Sequence, residues 1–483
     1  MTLVSPSGEQ HGKIERTQVC VFGSGPAGMT LAHSLATQGI DVILIEAGGQ
    51  YYDPASQDFY RGRVVGDPYF DLSECRLRMF GGTSNHWAGW CRPFEESELS
   101  ENPNLSITGW PISLKDLAPF QTEASEILEV PNDFQDIEFG PDLRHFMIQF
   151  SPPVLFGEKY ADFVASSKRL RAYLNSTLIG MSLENNSVRN ASIRSHAEGE
   201  DTFDWQVEAD YYVLCLGGIE NSRMLLWINE ENRRGLVENH DFIGRFWMEH
   251  PRATLGDMLL SEKALPLVRD GFVNFALTTA AHNSLGLAQA RFSAFELGHG
   301  RSKQLLADLL CTAPETSKYY LSLLFDKNLH CGAGFYSEWE QLPRYDNRVA
   351  LDEETDQYGV PRPVLYWTRS DFDRKTITEA TKLLASQFAE LDLGRIRVEE
   401  WVADDEAIPE QVQPGGYHHM GGTRMSTDKT HGVVDPDLKV HGSDNLFIGG
   451  SSVFPTGGIA NPTFTIVQLS LRLGEHLVQK LRL

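Results

Sequence analysis

An α/β fold of two interleaved domains is predicted by three features of the 483-residue chain. Near the N-terminus a short apolar run enters a Gly-x-Gly-x-x-Gly turn, a helical pattern follows, and a second apolar run ends in an acid. Together these describe a Rossmann-like nucleotide-binding unit. Two later strand-to-glycine junctions, at 209–222 and 446–451, have the form of returns to the same sheet. From about 246 to 410 the pattern changes to mixed strands and helices punctuated by Pro343, Pro361 and Pro363. That change predicts a separate α+β domain built on a mixed or antiparallel sheet. The expected boundaries are 1–105, 166–245 and 411–483 for the nucleotide-binding domain, and 106–165 with 246–410 for a substrate-binding domain.

Residues 18–22, Gln-Val-Cys-Val-Phe, are short and apolar enough for a buried strand. Gly23 permits the tight turn that follows, Gly25 lets backbone approach a pyrophosphate, and Gly28 lets helix and strand pack closely. Ala27 opens the helical pattern carried by Leu31, Ala32, Leu35 and Ala36, which stops near Gly39. The amide end of that helix would face phosphates. The second strand, 41–45, ends in Glu46, 18 residues after Gly28 and placed to accept from ribose hydroxyls. A carboxylate there is a poor neighbour for a 2′-phosphate. The fingerprint alone does not separate NAD from FAD.

The totals exclude several classes of function. With 42 Lys and Arg against 66 Asp and Glu, the formal net charge is -24, which opposes binding to nucleic acid and anionic membranes. Residues 1–18 are polar, and no window reaches the ~18 apolar residues of a membrane span, so a cytoplasmic protein is expected. The six cysteines (Cys20, Cys75, Cys91, Cys215, Cys311 and Cys331) show neither Cys-x-x-Cys spacing nor a zinc pattern. They read as packing residues in a reducing compartment, and no metal site is expected. Acidic clusters such as Asp352-Glu353-Glu354 read as solvated loops.

A second glycine loop, Gly81-Gly82-Thr83-Ser84-Asn85-His86-Trp87, lies in an aromatic-rich stretch. Its glycines would let backbone press against a flat ring system, and Ser84, Asn85 and His86 offer polar contacts to it. A tight turn with packed tryptophans is the alternative. The distance from the first fingerprint suits a cofactor longer than one mononucleotide, which favours FAD. At 209–216 another apolar run enters Gly217-Gly218 and then a helical pattern through Met224.

Near the C-terminus, His418-His419 opens a Gly421-Gly422-Thr423 turn. Either histidine could act as a general base, because imidazole titrates near neutral pH. Along an extended chain the two cannot face the same way, so one would meet the chemistry while the other packs or caps. Leu446-Phe447-Ile448 enters Gly449-Gly450-Ser451, a third strand-to-glycine junction. Asn461-Pro462-Thr463 reads as an N-cap, a proline at the first helical position, and the start of a core helix carrying Phe464, Val467 and Leu471. The positive end of that helix would favour negative charge on a reduced cofactor. Asn461 could donate to a substrate oxygen or accept from it.

These motifs, in this order, resemble the glucose-methanol-choline (GMC) oxidoreductases, a family of FAD enzymes. The resemblance covers the fingerprint, the Gly81-Gly82-Thr83 loop, residues 213–221, and the segment from His418 onward. It implies an FAD-binding domain in which Gly23, Gly25, Ala27, Gly28 and Glu46 are joined by Gly81, Gly82, Thr83, Asn85 and His86. Gly217, Gly450, Ser451, Asn461 and Thr463 complete the implied cofactor set. The family's base histidine opens a pattern of His, two residues, Gly, then Met four residues on. His418, Gly421 and Met425 fit that pattern without gaps, so the resemblance makes His418 the base and keeps His419 as the alternative. Asn461 matches the family's partner residue, an Asn or a second His.

The implied chemistry is proton removal by His418, transfer of the carbinol hydride to flavin N5, and alignment of the oxygen by Asn461. Oxygen, a quinone or a redox protein would accept the electrons. His86-Trp87 is similar to the pyranose-oxidising and short dehydrogenase branches, some of whose members attach FAD covalently through the corresponding histidine. That branch implies a sugar or glycoside, oxidised at a secondary hydroxyl such as C2 or C3 of a pyranose. A sugar face stacks on tryptophan and its hydroxyls need polar partners, which makes Trp87, Trp90 and Arg92 candidate substrate contacts. The rival readings are a lyase on the same fold, oxidation of a non-sugar alcohol, and an electron-carrying flavoprotein subunit without its own substrate.

Overall fold

Continuous apolar runs build the first sheet: Val19 to Phe22, Val42 to Ile45, Tyr212 to Leu214 and Leu446 to Ile448 are all buried, as strands covered on both faces require. The computed structural model describes residues 3–4, 10–105, 107–196, 202–233, 235–237, 240–296, 333–409 and 413–482. Among them, Leu3–Val4, Leu170–Tyr173, Val42–Ile45, Ile14–Phe22 and Phe203–Leu214 lie side by side in parallel. Leu446–Ile448 adds in parallel to the last three residues of Phe203–Leu214, whose first half pairs with antiparallel Ser187–Ser195. Ser176–Glu184 closes that edge.

Register sets up the site. Phe22 pairs with both Ile45 and Leu214, and Leu214 pairs with Ile448, so the C-terminal ends of four parallel strands lie in line. Glycine turns leave three of those ends, at Gly23, Gly217 and Gly449, on the edge where open α/β sheets bind ligands. The Pro26–Thr37 helix can pack this close to its strand only because Gly28 has no side chain: a Cβ there would lie 1.9 Å from the Gly23 carbonyl oxygen. The C-terminal Thr463–Arg482 helix packs across Pro26–Thr37.

A second sheet is antiparallel, in the order Gly394–Val398, Arg252–Leu260, Ala333–Trp339, Ala290–Glu296, Phe272–Leu277, Leu143–His145 and Ile137–Phe139. Phe275, Phe292, Phe335 and Trp339 form its core with Ile377, Leu384 and Phe388 of the Asp371–Glu390 helix. A third sheet joins Arg63–Gly66 in parallel to Pro361–Trp367, which pairs with Arg348–Thr355.

The observed layers depart from the expected boundaries in two places. The third sheet combines a strand from 1–105 with strands from 246–410. Segment 106–165 divides: Ile137–Phe139 and Leu143–His145 join the second sheet and Gln149–Phe150 pairs with Trp90–Cys91, but the Gln121–Leu128 and Phe156–Ser166 helices bury Ala124, Leu128, Phe156 and Val164 in the core of the first. A buried ion-pair chain ties these layers together, running from Arg76 to Glu220 (2.8 Å), Glu220 to Arg223 (3.0 Å) and Arg223 to Asp356 (2.6 Å). Removing one member would leave a buried charge uncompensated, at a cost of about 3–5 kcal/mol. Cys20, Cys75, Cys91 and Cys215 are free and buried, while Cys311 and Cys331 lie outside the described residues. Among the described residues no helix is long and apolar enough to cross a membrane.

Candidate active site

A cavity of about 730 Å³ opens at the aligned strand ends and extends to the second sheet. Gly23, Gly25, Ala27 and Glu46 line one end, followed by Gly82, Thr83, His86, Gly217, Gly450, Ser451 and Thr463. Arg252, Phe272, Tyr336 and Glu338 project from the second sheet at the other end, with His418, His419 and Asn461 between.

The nucleotide end is built for an anion. Nothing would lie within 4 Å of a Cβ on Gly25 or Gly217, so both backbones face open space. Gly25 caps the Pro26–Thr37 helix without a side-chain bond, leaving the first-turn amides available. Glu46 accepts from the Ser24 amide (2.9 Å), the Ser24 hydroxyl (2.6 Å) and the Gly48 amide (2.8 Å). Burial raises its pKa while those bonds pull it down. A carboxylate has about four acceptor positions, so three bonds leave room for a ribose hydroxyl.

Several expected contacts fall elsewhere. Gly28 serves helix–strand packing and does not line the cavity. Gly81 presses on Gly157, where a Cβ would come within 2.5 Å of the Gly157 amide nitrogen, so it too lies behind the wall. The Asn85 amide donates to the Phe80 and Gly82 carbonyls (3.0 and 2.8 Å) and holds the turn instead of reaching a ligand. Arg92 lies outside the cavity, beneath the Phe146 ring at 4.0 Å and ion-paired with Glu95 and Asp136, because two carboxylates and an aromatic face satisfy a buried guanidinium. Trp87 and Trp90 line the cavity, and His86 does so with its pKa lowered by burial.

Asn461 also corrects an expectation. The helix begins at Thr463, and both polar atoms of the Asn461 side chain are engaged away from it. Its Nδ2 lies 3.0 Å from His418 Nε2, and its Oδ1 accepts from Arg291 at 2.6 Å. Arg291 is also ion-paired with Glu338. Tyr417, immediately before His418, adopts a left-handed φ of 62° and stacks on Phe70 at 4.2 Å, which turns the backbone toward the cavity. One oxygen of Glu249 accepts from the His250 and His418 amides (2.9 and 2.7 Å), and the other accepts from Tyr69 (2.5 Å). Burial pushes the Glu249 carboxyl up to about 7.

His418 Nδ1 lies 2.9 Å from His250 Nδ1, and His250 Nε2 lies 3.1 Å from the Gly457 carbonyl. Burial holds His250 down to about 4 and His418 well below the ordinary histidine value. His419 packs its ring near Trp247 and Tyr69 (5.7 and 6.3 Å between centroids), while its Nε2 has no hydrogen-bond partner among the described residues. Behind the loop, Glu340 accepts from the Gly458 amide (3.1 Å) and Glu98 from those of Ile459 and Ala460 (2.6 and 2.9 Å). Asn461 is thereby set at the end of an anchored backbone.

His250, Glu249, Arg291 and Glu338 belong to no motif that marks them in the sequence. The one signal is Glu249-His250 set between apolar Trp247-Met248 and Pro251, two polar groups with nowhere to go but inward.

Residues 343–470 match the GMC oxidoreductase family, and residues 16–65 match an FAD binding domain. These two segments are a GMC oxidoreductase C-terminal domain and an FAD-binding domain. It is similar to the fructose dehydrogenase large subunit of Gluconobacter japonicus, at 24% identity over 57% of this chain and 48% of that one, so it spans about half the length of that relative. It is 22% identical to the 2-methyl-1,2-propanediol dehydrogenase of Mycolicibacterium austroafricanum over 96% of both chains. Its fold is that of the solved pyridoxine 4-oxidase from Mesorbium loti, with a TM-score of 0.61 and 17% identity over 95% of this chain and 99% of that one. The FAD-binding domain gives the chain FAD as its cofactor. The site fits that group: bare backbone at Gly25 and Gly217, free helix amides, spare acceptor capacity on Glu46, and an unpartnered His419 Nε2 on the wall.

Proposed function

We propose that this chain is a GMC-type oxidoreductase that oxidises a secondary hydroxyl of a sugar or glycoside to a ketone, with His418 taking the hydroxyl proton and Asn461 holding the oxygen. The reading rests on the His418–Asn461 pair, Nε2 3.0 Å from Nδ2, on the wall between the nucleotide-binding turns and the second sheet. Gly23, Gly25 and Ala27 would hold the pyrophosphate and Glu46 a ribose. Gly82, Thr83, His86, Gly217, Gly450, Ser451 and Thr463 would hold the rest of the cofactor. Bound FAD supplies the hydride acceptor.

A hydroxyl set between His418 and Asn461 presents its proton to Nε2 and its oxygen to the amide. Burial keeps the imidazole unprotonated, so the base is ready near neutral pH. Proton removal by a positioned base contributes ~10²–10⁴-fold. Negative charge growing on the oxygen is met by the amide, which Arg291 polarises from behind.

The opposite wall supports a carbohydrate. Trp90 and Phe272 offer flat apolar faces, and Arg252, whose guanidinium lies 3.8 Å over the Tyr336 ring, joins Glu338 and Gln413 as donors and acceptors for neighbouring hydroxyls. Each buried polar group left unpaired costs about 1–3 kcal/mol, which penalises a simple alcohol. Similarity to the fructose dehydrogenase subunit points the same way. The second reading is a small branched diol, favoured by the near-full-length match to the 2-methyl-1,2-propanediol dehydrogenase.

An anaerobic panel separates them, read as loss of absorbance near 450 nm, about where oxidised flavins absorb. Bleaching by hexoses or glycosides, with little from the diol, choline or benzyl alcohol, is expected. A response to the diol alone selects the second reading. Silence toward every alcohol would overturn both.

A further inference from the structure

The hydrogen-bond roles beside His418 are fixed from both ends. A carbonyl can only accept, so His250 Nε2, 3.1 Å from the Gly457 oxygen, carries a hydrogen. A guanidinium can only donate, so the Asn461 atom 2.6 Å from Arg291 is the oxygen, and the amide nitrogen with its two hydrogens faces His418 Nε2. His250 is 1% exposed and neutral near pH 7. With its hydrogen on Nε2, its Nδ1 is a bare acceptor, 2.9 Å from His418 Nδ1. One assignment satisfies all four contacts: His418 carries its hydrogen on Nδ1, and its Nε2 is a lone pair directed at Asn461 and the cavity.

We propose that His250 is a positioning residue for His418: anchored on the Gly457 carbonyl, it holds His418 in the Nδ1–H tautomer, leaving Nε2 as the proton acceptor. This rests on the reading of His418 as the base. A free imidazole exchanges between its two tautomers, and the partner of the second nitrogen decides which one is held. Here that partner is a neutral ring oriented in turn by a backbone carbonyl. When Nε2 takes the hydroxyl proton, the resulting imidazolium keeps donating from Nδ1 to His250, so no bond has to reorganise as charge appears. The single Glu249 oxygen that receives both amides holds the two rings in register, with centroids 4.9 Å apart at 85°.

The test has a spectroscopic arm and a kinetic arm, both on the FAD-loaded protein. With ¹⁵N-labelled histidine, the His418 ring signals are identified by their loss in His418→Ala. The wild type is expected to show Nδ1 protonated and Nε2 bare, whereas protonated Nε2 overturns the proposal. His250→Phe should lose the fixed tautomer. His250→Gln, whose carbonyl can accept the same hydrogen, should keep it. An unchanged tautomer in His250→Phe would also overturn it.

In the kinetic arm, flavin reduction is followed with fructose or 2-methyl-1,2-propanediol, whichever bleaches. The limiting rate should fall about 10²-fold in His250→Phe and recover about 10-fold or more in His250→Gln. Half-saturation should move less than about 3-fold. Equal loss in both variants would make His250 merely structural. Should His250→Phe fail to hold FAD, the wild-type tautomer and His250→Gln decide.

The two claims fail separately. If His418→Ala reduces its flavin at the wild-type rate while the wild-type ring is Nδ1–H, the base reading falls and the hold of His250 on the ring stands. A slow His418→Ala with an Nε2–H wild-type ring keeps the base reading and removes the role of His250.

Discussion

Arg291 donates a 2.6 Å hydrogen bond to the side-chain oxygen of Asn461, so a residue of the second sheet fixes the amide that meets His418 on the cavity wall. Arg291 is 1% exposed, and burial lowers its pKa to about 10, which still leaves it charged near neutral pH. Without it the Asn461 amide is free to rotate its oxygen toward His418 Nε2, two acceptors facing each other, and Glu338 loses its buried counter-ion.

Arg291→Met should therefore lower the limiting rate of flavin reduction about 10-fold or more and destabilise the fold by about 3–5 kcal/mol. Arg291→Lys keeps the charge but loses the planar fork, and should fall between the two. Wild-type reduction by Arg291→Met with FAD bound would show that the amide is oriented by something else.

His418→Ala should slow flavin reduction by about 10²-fold or more while FAD remains bound. His419→Ala should cost much less, because its ring lies against Trp247 and Tyr69 and its Nε2 meets no partner among the described residues. Stopped-flow reduction of the two variants side by side checks the order, and a reversed order assigns the base to His419.

What is legible in the sequence is local. Gly23, Gly25 and Gly28 carry their meaning in their spacing, because turn, phosphate approach and helix packing all occur within six residues. His250 and Arg291 carry no such spacing, since they reach His418 and Asn461 only through long-range pairing, and the apolar setting of Glu249-His250 says only that the pair points inward. The isolated bridge between Met248 and Met420 is what lays 247–250 beside 418–420. Arg92 misleads because it is near the Gly81-Gly82 loop in sequence but not in space, where Glu95 and Asp136 hold its guanidinium away from the cavity. Asn461-Pro462 does mark a helix start. The amide nonetheless goes to a charged donor, which competes better for its oxygen than a backbone amide does.

A covalent link at His86 would join a neutral ring nitrogen to a methyl carbon of the flavin in place of one C–H bond, with the C–H and ring N–H protons lost to solvent and the two electrons passing into the flavin ring. His86 lines the cavity, and burial lowers its pKa, both of which favour a free ring nitrogen. If the link forms, acid precipitation should leave the yellow colour in the pellet, and a peptide containing His86 should carry the flavin mass. His86→Ala should then release FAD on precipitation. Free FAD in the wild-type supernatant would show non-covalent binding.

His250 contributes to the pH dependence of stability, because burial holds its pKa to about 4 against the usual 6.5. Between those values the unfolded chain binds a proton at this residue that the folded chain does not, so the unfolding free energy falls as the pH drops through the window. Above 6.5 and below 4 the residue contributes no slope. Across the window the loss is about 3 kcal/mol. Glu249 acts in the opposite sense: with a folded value of about 7 against 4.5, its contribution is full below 4.5 and is lost as the pH rises to 7. The two slopes oppose each other over most of the range, so the wild-type profile alone does not isolate either residue. His250→Gln removes the slope of this one histidine and keeps those of Glu249, Glu340 and the other buried histidines, His282, His418 and His419. Its thermal midpoint, set relative to its own value at pH 7, should hold up better than that of the wild type as the pH is lowered to 4. Parallel curves for the two proteins would mean that His250 titrates in the folded chain near its ordinary value and is solvated, which would also remove the bare Nδ1 acceptor that faces His418.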